Sequence, residues 1–201
     1  MNQILKLMQC QNPLKEFVSW LEVAKQTTGI REPLAMVLAT CDQSDQPSTR
    51  TVLLKAWDEQ GITFFTNYSS RKAEELSKNP KAAATFYWDP LFKQVHFRGR
   101  IEKTSRAISE DYWRTRPRES QLSQWVSKQS ANLSQETDLA ALVSEAEKKW
   151  QGQDIPCPEN WGGYKLIPHE VEFWIGNKYR LHDRVRFQLS NSGWQCQRLY
   201  P

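Results

Sequence analysis

Apolar residues recur along this chain with two different periods, and the changes of period mark out its elements. Asn12-Pro13 pairs an N-cap residue with proline at the first helical position, and Leu14, Phe17, Val18, Leu21 and Ala24 follow at helical spacing. This predicts a first helix with one apolar face, ended by Gly29, whose stripe speaks of core packing. Strands are then expected over 35–41, 49–57 and 62–67, separated by polar turns at 42–46 and 58–61. A helix over 70–78 is closed by Asn79-Pro80, and strands over 82–88 and 94–103 join through Asp89-Pro90. Helical spacing returns over 105–115 and 119–126, on either side of Arg116-Pro117-Arg118. It returns again over 134–150, which starts on Ser134-Gln135-Glu136 and carries Leu139, Leu142, Val143 and Ala146 on one face. A Pro-rich connection over 151–161 leads to strands 170–175, 185–189 and 194–199, the last two joined by the turn Asn191-Ser192-Gly193.

Helices interrupt the strands without strict alternation, which argues against a parallel doubly wound sheet. The expected fold is mainly β with added helices (α+β), a β-barrel in a single domain over 1–201, with no internal repeats. A length of 201 residues suits one domain, and 39% apolar against 25% charged residues is enough to build a core. No apolar run approaches the ~18–20 residues of a membrane span. The start, Met1-Asn2-Gln3-Ile4-Leu5-Lys6, lacks a charged-then-apolar export pattern, and with four scattered cysteines a cytoplasmic chain with free thiols is expected. Cys10, Cys41, Cys157 and Cys196 form no C-x-x-C, and His96, His169 and His182 form no H-E-x-x-H, so no metal site is expected. A net charge of +4 fits an anionic small ligand at least as well as a nucleic acid, and the interspersed acidic residues disfavour the latter.

Four groups of cations carry candidate chemistry. Arg50 and Lys55 bracket Thr51-Val52-Leu53-Leu54; on one continuous strand residues five apart point to opposite faces, so the two cations need not share a target. Ser69-Ser70-Arg71-Lys72 opens a helix, where free backbone N–H groups, hydroxyls and two cations suit an anion; an ordinary capped helix with solvated charges has the same composition. The stretch from Tyr112 to Ser120 holds Arg114, Arg116 and Arg118 near a helix start, and suits either a second anion or a surface salt-bridge stretch. In the fourth group, Phe173-Trp174 precedes Arg180-Leu181-His182-Asp183-Arg184. In a strand Arg180, His182 and Arg184 share one face and repel one another unless an anion or an acidic partner answers them. There is no G-x-G-x-x-G and no Walker loop, so a nucleotide would be held by these dispersed groups.

Taken together, these blocks resemble a known family. Arg50-Thr51-Val52-Leu53-Leu54-Lys55, Phe65-Thr66-Asn67, Ser70-Arg71-Lys72, Gln94-Val95, Arg116-Pro117-Arg118-Glu119-Ser120-Gln121, Trp125-Val126-Ser127-Lys128-Gln129-Ser130, Phe173-Trp174 and Arg180 to Arg184 occur in the order found in the pyridoxine/pyridoxamine 5′-phosphate oxidases. The resemblance runs from about Pro13 to Pro201. It implies an FMN-binding split barrel and a homodimer with FMN in the interface. It also implies that the run Arg50, Thr51, Val52, Leu53, Leu54, Lys55 together with Phe65, Thr66, Arg71, Lys72, Gln94, Gln129, Ser130, Trp174 and Arg184 binds FMN. Lys55, Tyr112, Arg116 and Ser120 would hold the substrate phosphate, and Arg180 and His182 would act catalytically over its pyridine ring. The residues read on their own agree in offering two separate anion sites.

The implied reaction oxidises pyridoxamine or pyridoxine 5′-phosphate to pyridoxal 5′-phosphate, with dioxygen as acceptor and hydrogen peroxide as product. Only Met1–Asn12 precede the first predicted helix, without the Arg-Arg-x-Tyr-like arm usual in the family, which leaves the cover over the substrate unassigned. Phe65 stands where tyrosine is common, and Ile175-Gly176-Asn177 replaces Gln-Gly-Gly. Gly29 to Pro33 and Pro47 to Arg50 also resemble phenazine-biosynthesis oxidases, a family that tends to lose the Lys55 lysine and the Arg-Pro-Arg-x-Ser block. A non-catalytic module binding FMN or pyridoxal phosphate is the other alternative.

Overall fold

The computed structural model describes residues 3–201; Met1 and Asn2, the start of the short segment ahead of Pro13, lie outside the described residues. The chain runs α1 (Gln3–Met8), α2 (Pro13–Gln26), β1 (Ala35–Cys41), β2 (Pro47–Leu53), β3 (Ala56–Trp57), β4 (Ile62–Asn67), α3 (Arg71–Lys78), β5 (Lys81–Trp88), β6 (Lys93–Lys103), α4 (Arg106–Thr115), α5 (Arg118–Val126), α6 (Leu139–Lys149), β7 (Trp161–Ile175), β8 (Asp183–Ser190) and β9 (Gly193–Leu199). The strands form one antiparallel sheet in the order β2-β1-β5-β6-β7-β4-β3, and β8 and β9 extend it from β7.

β7 organises this sheet. One edge pairs with β6 from Tyr164 to Ile175, while the other is divided: Trp161 to Leu166 pair with β4, and Glu170 to Ile175 pair with β8. Between the two halves the β6 register shifts at Arg98/Gly99, so that Gly99 faces Pro168 and His169 has no partner on β6. Gly99 is required there because a Cβ would lie 2.1 Å from the Ile167 carbonyl oxygen. The sheet curls around α2. Phe17 places its ring 4.9 Å from both Phe86 and Phe97, and Trp20 lies 4.9 Å from Phe173. Each of these side chains is essentially fully buried. Burying each stabilises by roughly 1.5–3 kcal/mol, and Phe17→Ala would cost about 3–5 kcal/mol.

Asn12 caps α2 through its side chain, as its position before Pro13 predicts. Five boundaries differ from expectation. α1 precedes the predicted first helix, tied down by Lys6 to Glu16 and by the Cys196 thiol donating to the Met8 carbonyl. The predicted strand 49–57 is broken at Leu54-Lys55. The predicted helix 134–150 is shorter, because Asp138 rather than Ser134 caps it. β7 starts at Trp161 rather than at 170, since Gly162, Gly163 and Pro168 hide a strand that is buried on both faces. Finally, Arg180 and His182 do not lie on a strand. Lys178–Arg180 form a 3-10 turn with Tyr179 at φ 59° and Arg180 at φ 61°, and β8 starts only at Asp183.

Candidate functional site

The break between β2 and β3 builds the site. Leu54 is buried in the core and its N–H bonds back to Leu34, whereas the Lys55 N–H bonds forward to Thr63 on β4. The chain thus changes sheet partner between these residues, and the parity of side-chain direction is reset. Arg50 and Lys55, expected on opposite faces, both line one open cavity of about 550 Å³. Thr51, Val52 and Leu53 line it as well, together with Phe65 and Thr66 from β4, Arg71 and Lys72 from α3, and Tyr112 and Arg116 from the α4 end. Gln129 and Ser130 complete the wall from the loop before α6, Ser130 in a left-handed conformation at φ 73°. Leu54 is the member of the 50–55 run that faces the core instead.

One end of the cavity is cationic and densely hydrogen-bonded. Ser70 occupies the N-cap of α3 without capping it, since its hydroxyl donates to the Asn67 carbonyl. The first-turn N–H groups of α3 therefore lack a side-chain acceptor, the arrangement that favours an anion. Lys72 is buried, and its Nζ donates to Thr66 Oγ1 and Ser70 Oγ at 3.0 Å and to Gln129 Oε1 at 3.1 Å. All three acceptors are neutral, and no carboxylate pairs with Lys72 among the described residues. Burial, reinforced by the nearby charge of Arg50, lowers its pKa to about 8.

The other end is aromatic. Phe65 stacks on Tyr112 at 4.1 Å and on Trp161 at 5.3 Å, with interplanar angles of 21° and 15°. The Arg116 guanidinium lies 5.0 Å from the Trp161 ring centre and 5.6 Å from that of Trp113. Of the three arginines expected to meet a second anion here, only Arg116 faces the cavity. Arg114 pairs with Asp111, and Arg118 donates to the carbonyls of Trp150 and Gln153. Ser120 does not line the cavity; its carbonyl accepts from Arg116.

Sequence reasoning passed over three residues that matter here. Glu75 is buried under the cationic end, where it binds both Arg50 and Arg71. Trp161 and Gln124 line the cavity, and Gln124 Nε2 and Arg116 Nε are buried without a hydrogen-bond partner. Glu75 was legible as the i+4 partner of Arg71; Trp161 was lost in a segment read as a connection.

The remaining predicted residues gather elsewhere. Gln94 sits opposite Trp174, and Trp174 opposite Arg184, at the far end of β7. His182 lies 4.7 Å from the Trp174 ring, and its Nδ1 accepts from the Asn177 N–H at 3.1 Å. Arg184 forms a two-pronged pair with Glu172 at 2.8 and 3.0 Å and also donates to the Tyr200 carbonyl. Arg180 is exposed, with no hydrogen bond or ion pair among the described residues. The structure therefore splits the candidate residues into two groups at opposite ends of one strand.

The cavity suits a phosphorylated, ring-bearing ligand such as the FMN implied by resemblance. A buried lysine bound only to neutral groups, an uncapped helix start and two orphaned buried donors call for an anion and further acceptors. The flat wall of Phe65, Tyr112 and Trp161 offers aromatic surface at the other end.

Comparison with known proteins bears on both groups. A family model described as pyridoxamine 5′-phosphate oxidase matches residues 23–150, and one described as the pyridoxine 5′-phosphate oxidase C-terminal dimerisation region matches residues 161–201. The chain is 46% identical over 191 residues to a pyridoxine/pyridoxamine 5′-phosphate oxidase of Nostoc sp., covering 94% of this chain and 89% of that protein. It is 44% identical over 200 residues to the protein of that name from Psychromonas ingrahamii, covering 100% and 91%. Among solved structures, PhzG from Burkholderia lata 383, in complex with tetrahydrophenazine-1-carboxylic acid, superposes with a TM-score of 0.90 at 29% identity, over 96% of this chain and 94% of that one. This likeness establishes the split barrel expected from the sequence.

Proposed function

The chain belongs to the pyridoxamine 5′-phosphate oxidase family, and from that premise we propose that it oxidises pyridoxamine or pyridoxine 5′-phosphate to pyridoxal 5′-phosphate, with FMN as resident cofactor and dioxygen as acceptor. The observation that carries this is a single cavity with a cationic helix start at one end and Arg116 over an aromatic wall at the other. Such a cavity answers one cofactor phosphate and one substrate phosphate.

Arg71, Lys72, Thr66, Gln129 and Ser130 would hold the FMN phosphate, with Arg50 adding charge from behind. Lys55, Tyr112 and Arg116 would hold the substrate phosphate, since the Lys55 ammonium has no partner among the described residues and Arg116 keeps Nε unpaired. When bound, FMN supplies the acceptor for hydride from the substrate C4′ and the route of those electrons to dioxygen, leaving hydrogen peroxide. The chain's own residues bind and orient. The N–H of Asn177 donates to His182 Nδ1, so a neutral His182 carries its proton on Nε2 and offers a donor to a ring substituent. Arg180, without a hydrogen bond or ion pair among the described residues, is available to stabilise negative charge developing on the substrate.

The second group of residues reaches the first by assembly. The matched C-terminal dimerisation region supports a homodimer in which Gln94, Trp174, Arg180, His182 and Arg184 of one copy complete the cavity of the other. A cytoplasmic location is part of the same proposal and rests on four unpaired thiols. No helix among the described residues is long and apolar enough to cross a membrane.

A phenazine-type oxidase is the second reading, favoured by the close superposition on PhzG. The higher identity to proteins named vitamin B6 oxidases, and the presence of Lys55 and Arg116 in the cavity, support the first. Adding pyridoxamine 5′-phosphate to the aerated, FMN-loaded protein should give aldehyde and peroxide in equal amounts. FMN bound without peroxide would leave only a binding module; turnover confined to a phenazine precursor would make PhzG the better guide.

A further inference from the structure

Beneath the cationic end of the cavity lies a carboxylate that no reading of the flavin or substrate site requires. We propose that Glu75 is a positioning residue for the cofactor phosphate, a buried anchor that aims Arg71 into the cavity and fixes Arg50 behind it. This inference rests on the proposal that the cavity takes FMN.

Glu75 is 4% exposed and lies one helical turn beyond Arg71 on α3, facing inward. Its carboxylate accepts from groups on three elements. Arg71 Nε donates at 2.9 Å, Arg50 Nη2 at 3.2 Å and Ser48 Oγ at 2.7 Å, and the Thr40 hydroxyl donates to it as well. Arg71 is held by Nε alone. Both its terminal nitrogens carry no hydrogen bond among the described residues, and its side chain is 62% exposed at the cavity wall. The fork that recognises a phosphate is therefore free of protein partners and is tethered only through the nitrogen behind it, where Arg71 borders both this cavity and a groove lined by Asp42 and Ser44.

Arg50 is held in the opposite manner. Nη1 donates to the Leu38 carbonyl and Thr40 Oγ1, and Nη2 donates to Ser48 Oγ and Glu75 Oε2. Its four terminal hydrogens are thus all committed to protein acceptors, so it acts on a ligand by charge. Thr40 and Ser48 each accept from Arg50 and donate to Glu75, which links the two ions at both ends. Arg50, Arg71 and Lys72 carry three positive charges and Glu75 one negative, so the cradle has a net charge of 2+, matched to a phosphate dianion. Burial by itself would raise the Glu75 pKa, but the hydrogen bonds from Thr40, Ser48 and Arg71 and the charge of Arg50 outweigh it and hold it at about 2. The carboxylate stays ionised at any working pH.

The test compares Glu75→Gln with wild type on two ligands, FMN and riboflavin, the latter lacking the phosphate. Positioning predicts FMN affinity lower by about tenfold or more in the variant, the scale of one charge-assisted contact, with riboflavin affinity unchanged. It also predicts that the Arg71 Nε–H resonance, ordered in the ligand-free wild type, averages towards that of a free side chain in the variant. Equal losses for both ligands would reduce Glu75 to a general structural role. Tighter FMN binding would make it a competing counter-ion, and either result overturns the inference. Should Glu75→Gln not fold, Ser48→Ala removes one link while keeping the carboxylate, and must weaken FMN but not riboflavin. A wild-type protein that binds no FMN removes the cofactor reading itself, an outcome distinct from an unchanged variant.

Discussion

Trp161 and Trp174 stand at opposite ends of β7, and only Trp161 lines the cavity. Thirteen residue steps of extended chain span up to about 43 Å. Trp161 packs among the aromatic rings beside Arg116, whereas Trp174 holds His182 and neighbours Arg184. None of Gln94, Trp174, Arg180, His182 and Arg184 lines the cavity, which is why the proposed site draws on two copies of the chain.

Complementation tests this directly. Arg116→Ala damages the cavity and Arg180→Met the far end of β7. A heterodimer of the two variants carries one doubly damaged site and one intact site. At substrate well below KM, where both single variants are slow, random reassembly of an equal mixture should restore about a quarter of wild-type activity, because half the dimers are mixed and each has one good site. Activity that stays at the level of the separate variants would place both groups in one chain's site. Dilution into monomers should likewise release FMN.

Lys72 should make FMN binding pH-dependent. Its folded pKa is depressed by burial to about 8, so below that value it is charged and pairs with phosphate, and above it the charge is lost. FMN affinity should therefore fall as pH rises through about 8, and binding above that pH should take up a proton, measurable by calorimetry in two buffers. Lys72→Met should bind more weakly and flatten the profile, and Arg71→Ala should weaken FMN by roughly 1.5–3 kcal/mol. A wild-type profile flat through this range would show that Lys72 does not meet the phosphate.

Arg116 and Ser120 should separate. Arg116→Ala removes a cation from the aromatic end of the cavity and should raise KM for the phosphorylated substrate by about tenfold while FMN stays bound. Ser120 meets Arg116 through its backbone carbonyl, so Ser120→Ala should change KM by less than about threefold. Loss of FMN from the Arg116 variant would mean the two anion sites are interchanged.

Arg180→Met tests transition-state stabilisation. Glu172 is taken by Arg184 and Asp183 by Arg198, so neither holds Arg180. Melting temperature should stay within a degree or two of wild type, while anaerobic flavin reduction in stopped flow should slow by ~10²-fold, about 2.7 kcal/mol. Wild-type reduction rates in the folded, flavin-loaded variant would remove Arg180 from the chemistry.

Acid should expose the Glu75 anchor. Its folded pKa of about 2 lies below the ordinary 4.5, so its contribution to stability is complete above about 4.5 and lost as pH falls through about 2. Unfolding free energy of the wild type should fall across that window, and Glu75→Gln should lack that part of the slope. Parallel acid limbs for the two proteins would show that the carboxylate gains nothing from its partners.

Local pattern reached most of this protein. The helix capped by Asn12, the strand Ile62–Asn67, the helix start at Ser70-Arg71-Lys72 and the hairpin around Asn191-Ser192 were legible because neighbouring residues decide them. The motif blocks were legible too, down to most of the residues that line the cavity. Tertiary structure decided what depends on distant partners. Lys55 joins Arg50 because Leu54 bonds to Leu34 and Lys55 to Thr63, so the strand changes partner between them. Glu75 becomes an anchor only where β1, β2 and α3 meet. β7 is continuous through two glycines and a proline because β6, β4 and β8 satisfy its backbone from both sides. Sequence spacing measures separation along one chain, whereas the division of the candidate site between the two ends of β7 is a matter of length in space, fixed by how far an extended strand carries the backbone between Trp161 and Trp174.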